Sequence, residues 1–198
     1  MVDLDGDDRG RPEGKVLWHV TMSLDGFISG PGGAMDWVFE HPSEPSAAAE
    51  ETIRTTGAVL AGRRWYDEAK SIHGGLEGIY GGAWSGPVFV LTHRPSPARD
   101  EEPAVTFLSG DVRDAVAAAL HAAGGKNVVM FGADVTRQCV EEGLVDEILI
   151  HLVPVLLGDG VRLFGGPGGR RTSLEKIGRG RPRQLTDLRF RVLKDTAS

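Results

Sequence analysis

The sequence predicts an α/β sandwich built on a mostly parallel sheet, with an antiparallel strand at the C-terminal end. Segments with strand composition alternate with segments of helical periodicity along the 198 residues, which is typical of helices packed on a parallel sheet. Residues 128–131 form a continuous apolar run of strand length, as expected for a strand whose two faces are both covered. In residues 185–193, Leu188, Phe190 and Val192 alternate with charged side chains, which indicates a half-exposed edge strand.

The composition restricts the classes of protein to which this chain can belong. A net charge of −6 without a block of lysine or arginine argues against nucleic acid and anionic membranes as main partners, and we interpret the locally basic residues 170–183 as a solvated loop. The most apolar later run, residues 148–157, is too short to span a bilayer. Residues 1–14 are acidic and lack the apolar core of a signal peptide, so we expect a disordered tail. These features predict a cytoplasmic protein with one domain over residues 15–195.

Cysteine and histidine content bears on disulfide and metal chemistry. The single cysteine, Cys139, lies on the apolar face of a predicted helix and excludes both an internal disulfide and a cysteine-based zinc framework. The six histidines are scattered and include no pair at i, i+4 spacing. We therefore predict no metal site.

The first strand is predicted at residues 15–22 and leads to an acidic turn at Asp25 and Gly26. The glycine-rich residues 30–33 then precede Trp37, which places a large aromatic side chain directly after a flexible segment. Such a loop could close over a ligand. It could equally be a surface loop held by one buried tryptophan, and these residues favour neither interpretation.

The next strand ends at a glycine followed by two arginines. Residues 46–54 have the composition of a helix that Gly57 ends, and residues 58–61 form a short buried strand. The segment Gly62-Arg63-Arg64 follows and opens a predicted helix, where guanidinium groups and a bare main chain suit phosphate oxygens. The alternative is that both arginines are ordinary surface residues.

A second polar strand end is the segment Thr92-His93-Arg94. It follows a connection that we expect to be irregular, residues 73–86, and a predicted strand at residues 87–91. In an open α/β sheet, side chains at the carboxyl end of a strand point into the ligand crevice. We interpret the strand at residues 104–108 and the helix capped by Asp111 as structural.

The third strand end is the segment Gly132-Ala133-Asp134-Val135, after the buried strand at residues 128–131. Asp134 is placed as the N-cap of a short helix that Gly143 ends, and Gly132 has no side chain that would keep a ligand from the main chain. The N–H groups at such a helix start favour an anion, so this turn is a candidate phosphate cradle. The alternative is an ordinary strand-to-helix turn.

The three strand ends are placed to contact different parts of one extended polyanion, and they occur together with three longer motifs. These motifs are SLDGFI at residues 23–28, GLVDE at residues 143–147 and PVLLGDG at residues 154–160. With them, the chain resembles the dihydrofolate-reductase-like superfamily and, within it, the reductase domain of the bifunctional riboflavin-biosynthesis deaminase-reductase. The likeness covers residues 16–192 and implies a dihydrofolate-reductase-like three-layer sandwich.

The resemblance also implies NADPH as cofactor and a small-molecule substrate. Residues 62–64 match a reductase segment that holds phosphates, residues 92–94 match the one near the adenosine 2′-phosphate, and residues 132–135 match the pyrophosphate turn. Trp37 is similar to the tryptophan that dihydrofolate reductases keep beside the nicotinamide. Related reductase domains pair, and the strand at residues 148–155 is more apolar than a sheet edge tolerates, so we predict a homodimer.

Departures from the riboflavin enzyme bear on the substrate. The chain has no His-x-Glu with a paired Pro-Cys-x-x-Cys, the zinc-binding motifs of the deaminase half. Met130 stands where that reductase has a glutamate that contacts substrate, and the compact residues 62–66 replace a longer ribose-phosphate segment. Dihydrofolate reductases carry an acidic residue after the tryptophan, and neither Glu40 nor Glu44 matches its position. The resemblance therefore does not identify the substrate.

We expect an NADPH-dependent oxidoreductase that transfers a hydride to a small pterin-like, pyrimidine-like or carbonyl substrate. A proton must accompany the hydride, and the predicted sources are Asp25, Glu40, Tyr66 or a bound water, with Trp37 beside the nicotinamide. Asp25 ranks first, although an aspartate before Gly26 can also serve only to bind the turn main chain. The alternative function is an NADPH- or nucleotide-binding protein, such as a sensor, with little turnover.

Overall fold

The structure is a computed structural model that describes residues 13–40, 46–72, 76–94, 103–165, 171–178 and 186–194. The strands in these ranges are β1 (Val16–Ser23), β2 (Phe27–Ser29), β3 (Thr56–Gly62), β4 (Val88–Leu91), β5 (Val105–Leu108), β6 (Asn127–Phe131), β7 (Glu147–Val153), β8 (Val161–Arg162), β9 (Ser173–Lys176) and β10 (Thr186–Leu193). The helices are α1 (Asp36–Phe39), α2 (Ala47–Thr55), α3 (Arg63–Ile72), α4 (Val112–Ala122) and α5 (Ala133–Glu141), with 3-10 helices η1 (Pro31–Gly33) and η2 (Leu76–Gly82).

Eight of the described strands form one sheet in the order β5-β4-β3-β6-β1-β7-β10-β9, while β2 pairs with β8. Neighbouring strands from β5 to β7 are parallel, and β10 is antiparallel to both β7 and β9. The predicted mostly parallel sheet with an antiparallel C-terminal strand is confirmed. The expected edge position of that strand is wrong, because β9 lies outside β10.

Helices cover both faces of the sheet, which confirms the predicted three layers. On one face, α4 and α5 contribute Leu120 and Cys139 to a core cluster that includes Met130. On the other face, α3 packs Tyr66 and α2 packs Ala48 against the strands. Because both faces are covered, the parallel strands at the centre of the sheet consist largely of buried apolar residues.

The apolar strand β7 lies inside the sheet, between β1 and β10. Its composition therefore follows from burial within the chain, and not from an exposed edge that another subunit would cover. The strand at residues 148–155 thus gives no support to the predicted homodimer, which stays a prediction.

Two local expectations are wrong for steric and pairing reasons. Gly57 does not end a helix but lies inside β3, where a Cβ would come within 2.3 Å of the Ala123 carbonyl oxygen. Residues 173–176, expected within a solvated loop at residues 170–183, form β9 instead and pair with β10. All four β9 residues are exposed, so no apolar period marks this strand. Residues 170 and 179–183 lie outside the described ranges.

The helix after β6 begins differently from the prediction and ends as predicted. Its N-cap is Gly132, at φ +86°, and Asp134 lies in the first turn. The positive φ lets the chain pass from strand to helix at a single residue. At the other end, Gly143 has φ +66° and its N–H donates to the Val140 carbonyl, as in glycine-terminated helices.

Two expectations concern the N-terminus and membranes. The predicted tail at residues 1–14 falls mostly outside the described residues, which begin at Glu13. Within the described ranges, no helix combines the length and the apolar character needed to cross a membrane.

Candidate functional site

A cavity of about 1280 Å³ opens at the carboxyl end of the parallel strands. Carboxyl ends of parallel strands meet at one edge of a sheet, so segments that are far apart in sequence converge here. All residues predicted to bind the cofactor line this cavity: Gly62, Arg63, Arg64, Thr92, His93, Arg94, Gly132, Ala133, Asp134 and Val135. Their roles stay predictions, but the structure brings them to one site.

The turn from β3 into α3 contributes two guanidinium groups. Arg63 Nε donates to Asp67 at 2.7 Å and Arg64 Nε donates to Glu68 at 2.9 Å, so each arginine is paired one turn along its own helix. Such i, i+4 pairs on a helix surface contribute about 0.3–0.5 kcal/mol. Both arginines can therefore exchange a carboxylate for a phosphate at low cost.

The turn from β6 into α5 packs against the β3–α3 turn. A Cβ on Gly132 would lie 3.4 Å from Trp65 Cβ and 3.9 Å from the Gly62 nitrogen, so the two glycine turns touch. The α5 start has no side-chain cap, which leaves its first N–H groups to an anion. Asp134 in the first turn is exposed and accepts a hydrogen bond from Arg137 at 3.0 Å.

The end of β4 forms a tight turn at the rim of the same cavity. The buried Thr92 hydroxyl accepts the Arg94 N–H at 3.1 Å, while the His93 and Arg94 side chains are exposed. In the sheet, the strands from β4 to β7 follow the order β4-β3-β6-β1-β7. The arginines follow β3 and β4, so they and β7 lie at opposite ends of the cavity.

Asp25, the first-ranked proton donor in the sequence, does not line the cavity. Its carboxylate accepts the Ser23 hydroxyl at 2.6 Å and the N–H groups of Leu157 and Gly158 at 3.1 and 2.8 Å. The Ser23 hydrogen bond has the largest effect on the pKa of Asp25; desolvation opposes it, and the bonds from Gly158 and Leu157 add to it, so that the pKa falls to about 2. Asp25 is thus an ionised anchor between two loops, and this geometry does not support a proton-donor role.

The other three predicted catalytic residues are also absent from the cavity lining. Trp37 is 4% exposed and its indole N–H donates to the Ala34 carbonyl at 3.2 Å, which fits a loop held by one buried tryptophan. Glu40 is exposed just beyond the end of α1. Tyr66 is 1% exposed, and its hydroxyl accepts a hydrogen bond from Lys70. Tyr66 belongs to α3 and packs in a core cluster on the sheet, and this position gives no support to a catalytic role.

At the opposite end of the cavity, four polar side chains form a continuous hydrogen-bonded series that we call the imidazole chain: Tyr80, His19, His151 and Asp187. The Tyr80 hydroxyl is 2.7 Å from His19 Nδ1, His19 Nε2 is 2.7 Å from His151 Nε2, and His151 Nδ1 is 2.6 Å from Asp187 Oδ1. Tyr80 and both histidines line the cavity. His19 and His151 are only 7% and 9% exposed, so these bonds form away from bulk water.

Burial controls protonation in the imidazole chain. Desolvation, followed by the charge of the neighbouring His151, lowers the pKa of His19 to about 3, so this imidazole is neutral at neutral pH. Desolvation also raises the pKa of Tyr80 above its ordinary value, so the phenol keeps its proton. A neutral imidazole donates through one ring nitrogen and accepts through the other, which suits a continuous hydrogen-bonded series.

Sequence reasoning missed the imidazole chain because its members are distant in sequence. His19 and His151 are 132 residues apart and meet only because β1 and β7 pair in parallel. A signal was nevertheless present, since each histidine interrupts a strand of apolar residues. Buried polar side chains need a partner, so two such interruptions predict an interaction between strands.

Comparison with known proteins gives a family match. The family model described as the RibD C-terminal domain matches residues 84–187, just over half of the chain. Among curated proteins, the uncharacterized protein YwjB of Bacillus subtilis (strain 168) is 30% identical over 161 residues, which cover 77% of this chain and 83% of that protein.

Solved structures show the same fold. A Shewanella sp. PV-4 protein named for riboflavin biosynthesis matches with a TM-score of 0.76 and 25% identity, over 91% of this chain and 99% of its own. Dihydrofolate reductase from Enterococcus faecalis, solved in complex with NADP(H), matches with a TM-score of 0.54 and 11% identity, over 92% and 98% of the two chains. The second likeness concerns the fold alone, and it confirms the dihydrofolate-reductase-like sandwich.

Proposed function

Because this chain belongs to the RibD C-terminal domain family, we propose that it is an NADPH-dependent reductase of a small molecule. The substrate class is a flat pterin-like or pyrimidine-like heterocycle, or a carbonyl compound, that accepts a hydride at a C=O or C=N carbon. The single observation that carries the proposal is the convergence of three polar strand ends and two helix starts in one large cavity.

The cavity fits the phosphates of a dinucleotide on grounds of charge and space. Gly132 leaves an uncapped helix start where a larger side chain would meet Trp65, and Arg63 and Arg64 lie on the adjacent turn. A hydrogen bond between a guanidinium group and a phosphate contributes about 1.5–3 kcal/mol, several times more than the surface ion pair that each arginine would give up. Arg94 on the β4 rim is the residue that we assign to the 2′-phosphate.

The aromatic side chains that begin beside these turns and extend toward Tyr80 fit the reacting rings. Trp65 and Phe131 stack with ring centroids 4.9 Å apart and planes at 12°, and Tyr80 lies 5.9 Å from Phe131. These aromatic side chains offer flat apolar surfaces beside the polar groups of the imidazole chain, as small-molecule sites usually do. When bound, NADPH supplies the hydride, while this chain positions both rings and excludes water.

Titration calorimetry tests the proposal at the level of the cofactor. NADPH should bind at least about tenfold more tightly than NADH, which corresponds to the loss of one phosphate contact. Equal affinity for the two nicotinamides would contradict the assignment of Arg94.

Turnover is tested separately, by following the absorbance of the reduced nicotinamide with panels of pterins, pyrimidines and carbonyl compounds. Consumption of NADPH with one of them is the expected result. Tight binding of NADPH without consumption across all three panels would contradict the reductase and favour an NADPH-binding protein with a sensing role.

We also propose that the protein is a two-fold homodimer, as expected from the resemblance to paired reductase domains. Light scattering at micromolar concentration should give twice the chain mass of 21.2 kDa. A monomeric mass would reject this proposal without affecting the cofactor site.

A further inference from the structure

We propose that the imidazole chain is a proton store for the reduction, in which Tyr80 gives its proton to the substrate and the stored charge resides on His151. The inference rests on the proposed function, because hydride transfer to a C=O or C=N carbon leaves a heteroatom that needs a proton. None of the three residues predicted from the sequence to supply it, Asp25, Glu40 and Tyr66, lines the cavity, whereas Tyr80, His19 and His151 do.

The hydrogen bonds limit the positions that protons can take. With Asp187 ionised, His151 Nδ1 must carry a proton to make the 2.6 Å bond, and one proton must lie between the two Nε2 atoms. With His19 neutral, as its burial requires, only two arrangements then satisfy all three bonds. They differ by one proton.

In the first arrangement, which we call the empty form, both imidazoles are neutral. Tyr80 donates to His19 Nδ1, His19 Nε2–H donates to His151 Nε2, and His151 Nδ1–H donates to Asp187. The Tyr80 hydroxyl proton is thus already used in the hydrogen bond to His19. The phenol cannot then donate to a ligand in the cavity.

In the second arrangement, the loaded form, His151 carries two protons and is paired with the Asp187 carboxylate. His151 Nε2–H now donates to His19 Nε2, and His19 Nδ1–H donates to the Tyr80 oxygen. His19 then no longer accepts the Tyr80 hydroxyl proton, so the phenol, which lines the cavity and has the Thr56 side chain as a further hydrogen-bond partner, can donate to a ligand there. One added proton therefore turns Tyr80 from an internal donor into a donor for substrate.

The reaction step converts the loaded form into the empty form with atoms and charges balanced. Tyr80 would give its proton to the heteroatom, which gains the π electrons of the C=O or C=N bond when bound NADPH supplies the hydride for the new C–H bond. The His19 Nδ1 proton moves to the Tyr80 oxygen, and the His151 Nε2 proton moves to His19 Nε2. The products are NADP⁺, the reduced substrate and the empty form, whose imidazoles are neutral and whose net charge is the −1 of Asp187; a solvent proton that enters through Tyr80 restores the loaded form.

The surroundings support a store at this position. Asp187 on β10 is the carboxylate that contacts His151, while Arg189 on the same strand is bound by Glu147 and Glu51. Residues that line the cavity from α2, Ala49 and Ile53, are apolar. The charged lining residues of α3 belong to the phosphate end: Arg63, Arg64, Asp67 and Glu68. The positive charge on His151 is therefore balanced by one adjacent carboxylate.

The main chain at Tyr80 provides a second, independent observation. Tyr80 has φ +54°, and it is the one non-glycine residue with a positive φ in the part of the chain that the structure describes. This conformation is unfavourable for a residue with a large side chain and persists only where the surroundings hold it. The strain, with the ring stacked on His19 at 5.4 Å, fits a residue that is held in a fixed position against the histidine.

Nitrogen NMR of protein with ¹⁵N-labelled histidine tests the proton store without any substrate. At high pH, His19 should carry its proton on Nε2 and His151 on Nδ1. As the pH is lowered, the pair should take up one proton, with His151 becoming doubly protonated while the His19 proton moves to Nδ1. A His19 proton that stays on Nε2 through this uptake, or a doubly protonated His19, would overturn the proposal.

Turnover of Tyr80→Phe, with the substrate found in the panel screen, tests the catalytic role. The variant should lose about 100-fold or more in kcat, the usual contribution of a general acid, and bind NADPH within twofold of wild type. The matched control is Tyr66→Phe, the other tyrosine of the chain, which is buried away from the cavity and should keep the wild-type kcat. A wild-type kcat for Tyr80→Phe would refute the store and leave the reductase assignment standing.

The two proposals fail in different ways. Absence of NADPH binding would contradict the proposed function, whereas the NMR tautomers would still decide whether the store exists. Conversely, a reductase whose His19 and His151 titrate independently of one another would retain the proposed function and lose the store.

Discussion

The two ends of the cavity hold their polar groups in opposite ways. At the phosphate end, Arg64 and Arg94 are exposed, and the nearby carboxylates are partners that a ligand can replace. At the imidazole end, His19 and His151 are almost fully buried and bind one another. An exposed charged side chain loses little free energy when it changes its ion-pair partner, whereas a buried polar group needs a hydrogen-bond partner at all times. The comparison indicates that the first end determines cofactor affinity and the second determines where protons lie.

Among the tests of this comparison, replacing His19 should have the largest effect. It should change how the free energy of unfolding depends on pH. The pKa of His19 is about 3 in the folded protein and 6.5 in the unfolded chain, so between these values the unfolded chain binds a proton that the folded protein does not. Stability should therefore fall as the pH falls, by roughly 4 kcal/mol from this residue between about pH 6.5 and about pH 3.5. Urea unfolding of wild type and His19→Gln at both pH values measures this difference.

The control for that comparison is His121→Gln, since His121 is an exposed residue of α4. It should keep the wild-type pH dependence, whereas His19→Gln should be less sensitive to acid. Equal pH dependence in His19→Gln and wild type would show that His19 is not held neutral by burial.

Replacing an arginine at the phosphate end should have a smaller effect, on cofactor affinity. The effect should differ between NADPH and NADH according to which arginine is replaced. Arg64→Gln is expected to weaken NADPH and NADH alike by about 1.5–3 kcal/mol, because it loses a contact with phosphates that both share. Arg94→Gln should weaken NADPH by a similar amount and leave NADH unchanged. Calorimetry with both nicotinamides checks this, with Arg113→Gln on α4 as the control that alters neither affinity.

The same experiment can contradict the arrangement of the phosphate end. If Arg94→Gln weakened NADH as much as NADPH, its guanidinium group would bind a phosphate common to both cofactors. The strand end of β4 would then not be the 2′-phosphate site.

The smallest expected effect is a gain in NADPH affinity, whereas the arginine variants lose affinity. Asp134 places a negative charge in the first turn of α5, where the helix dipole favours an anion and a bound pyrophosphate would be repelled. Asp134→Asn should therefore tighten NADPH binding by about 0.3–1 kcal/mol, and the gain should shrink as salt is added. Weaker binding in this variant would show instead that the carboxylate accepts hydrogen bonds from the ligand.

The phosphate end could be predicted from the sequence because its signals are local. Gly62 is the last residue of a recognisable strand, Thr92 and Gly132 each directly follow one, and parallel strands direct their carboxyl ends to one edge. The same locality explains the confirmed fold, since alternating strands and helices leave few arrangements of a sheet.

The imidazole end could not be predicted in this way, because register decides it. His19 lies beside His151 only through the parallel pairing of β1 with β7, and the bonds from Asp25 to Leu157 and Gly158 likewise join distant segments. For the same reason, the turn sequence around Asp25 did not predict that its carboxylate joins two loops. Edge strand β9 was missed because exposed pairing leaves no apolar pattern.

The most direct measurement of the central claim is NADPH affinity of Gly132→Val, which places a side chain in the turn between β6 and α5. The variant should retain its fold and bind NADPH more than about tenfold more weakly than wild type, a loss above about 1.4 kcal/mol. Gly143→Val is the matched control, since Gly143 also has a positive φ but has open space around it and lies outside the cavity lining. Conformational strain costs roughly 1–2 kcal/mol at a positive φ and about 1–3 kcal/mol at Gly132, whose ψ of 148° lies in a region essentially limited to glycine, so unfolding is measured alongside binding, and Gly132→Ala provides a milder variant. The account predicts that only the Gly132 variants lose NADPH; affinity of Gly132→Val within about twofold of wild type would contradict it.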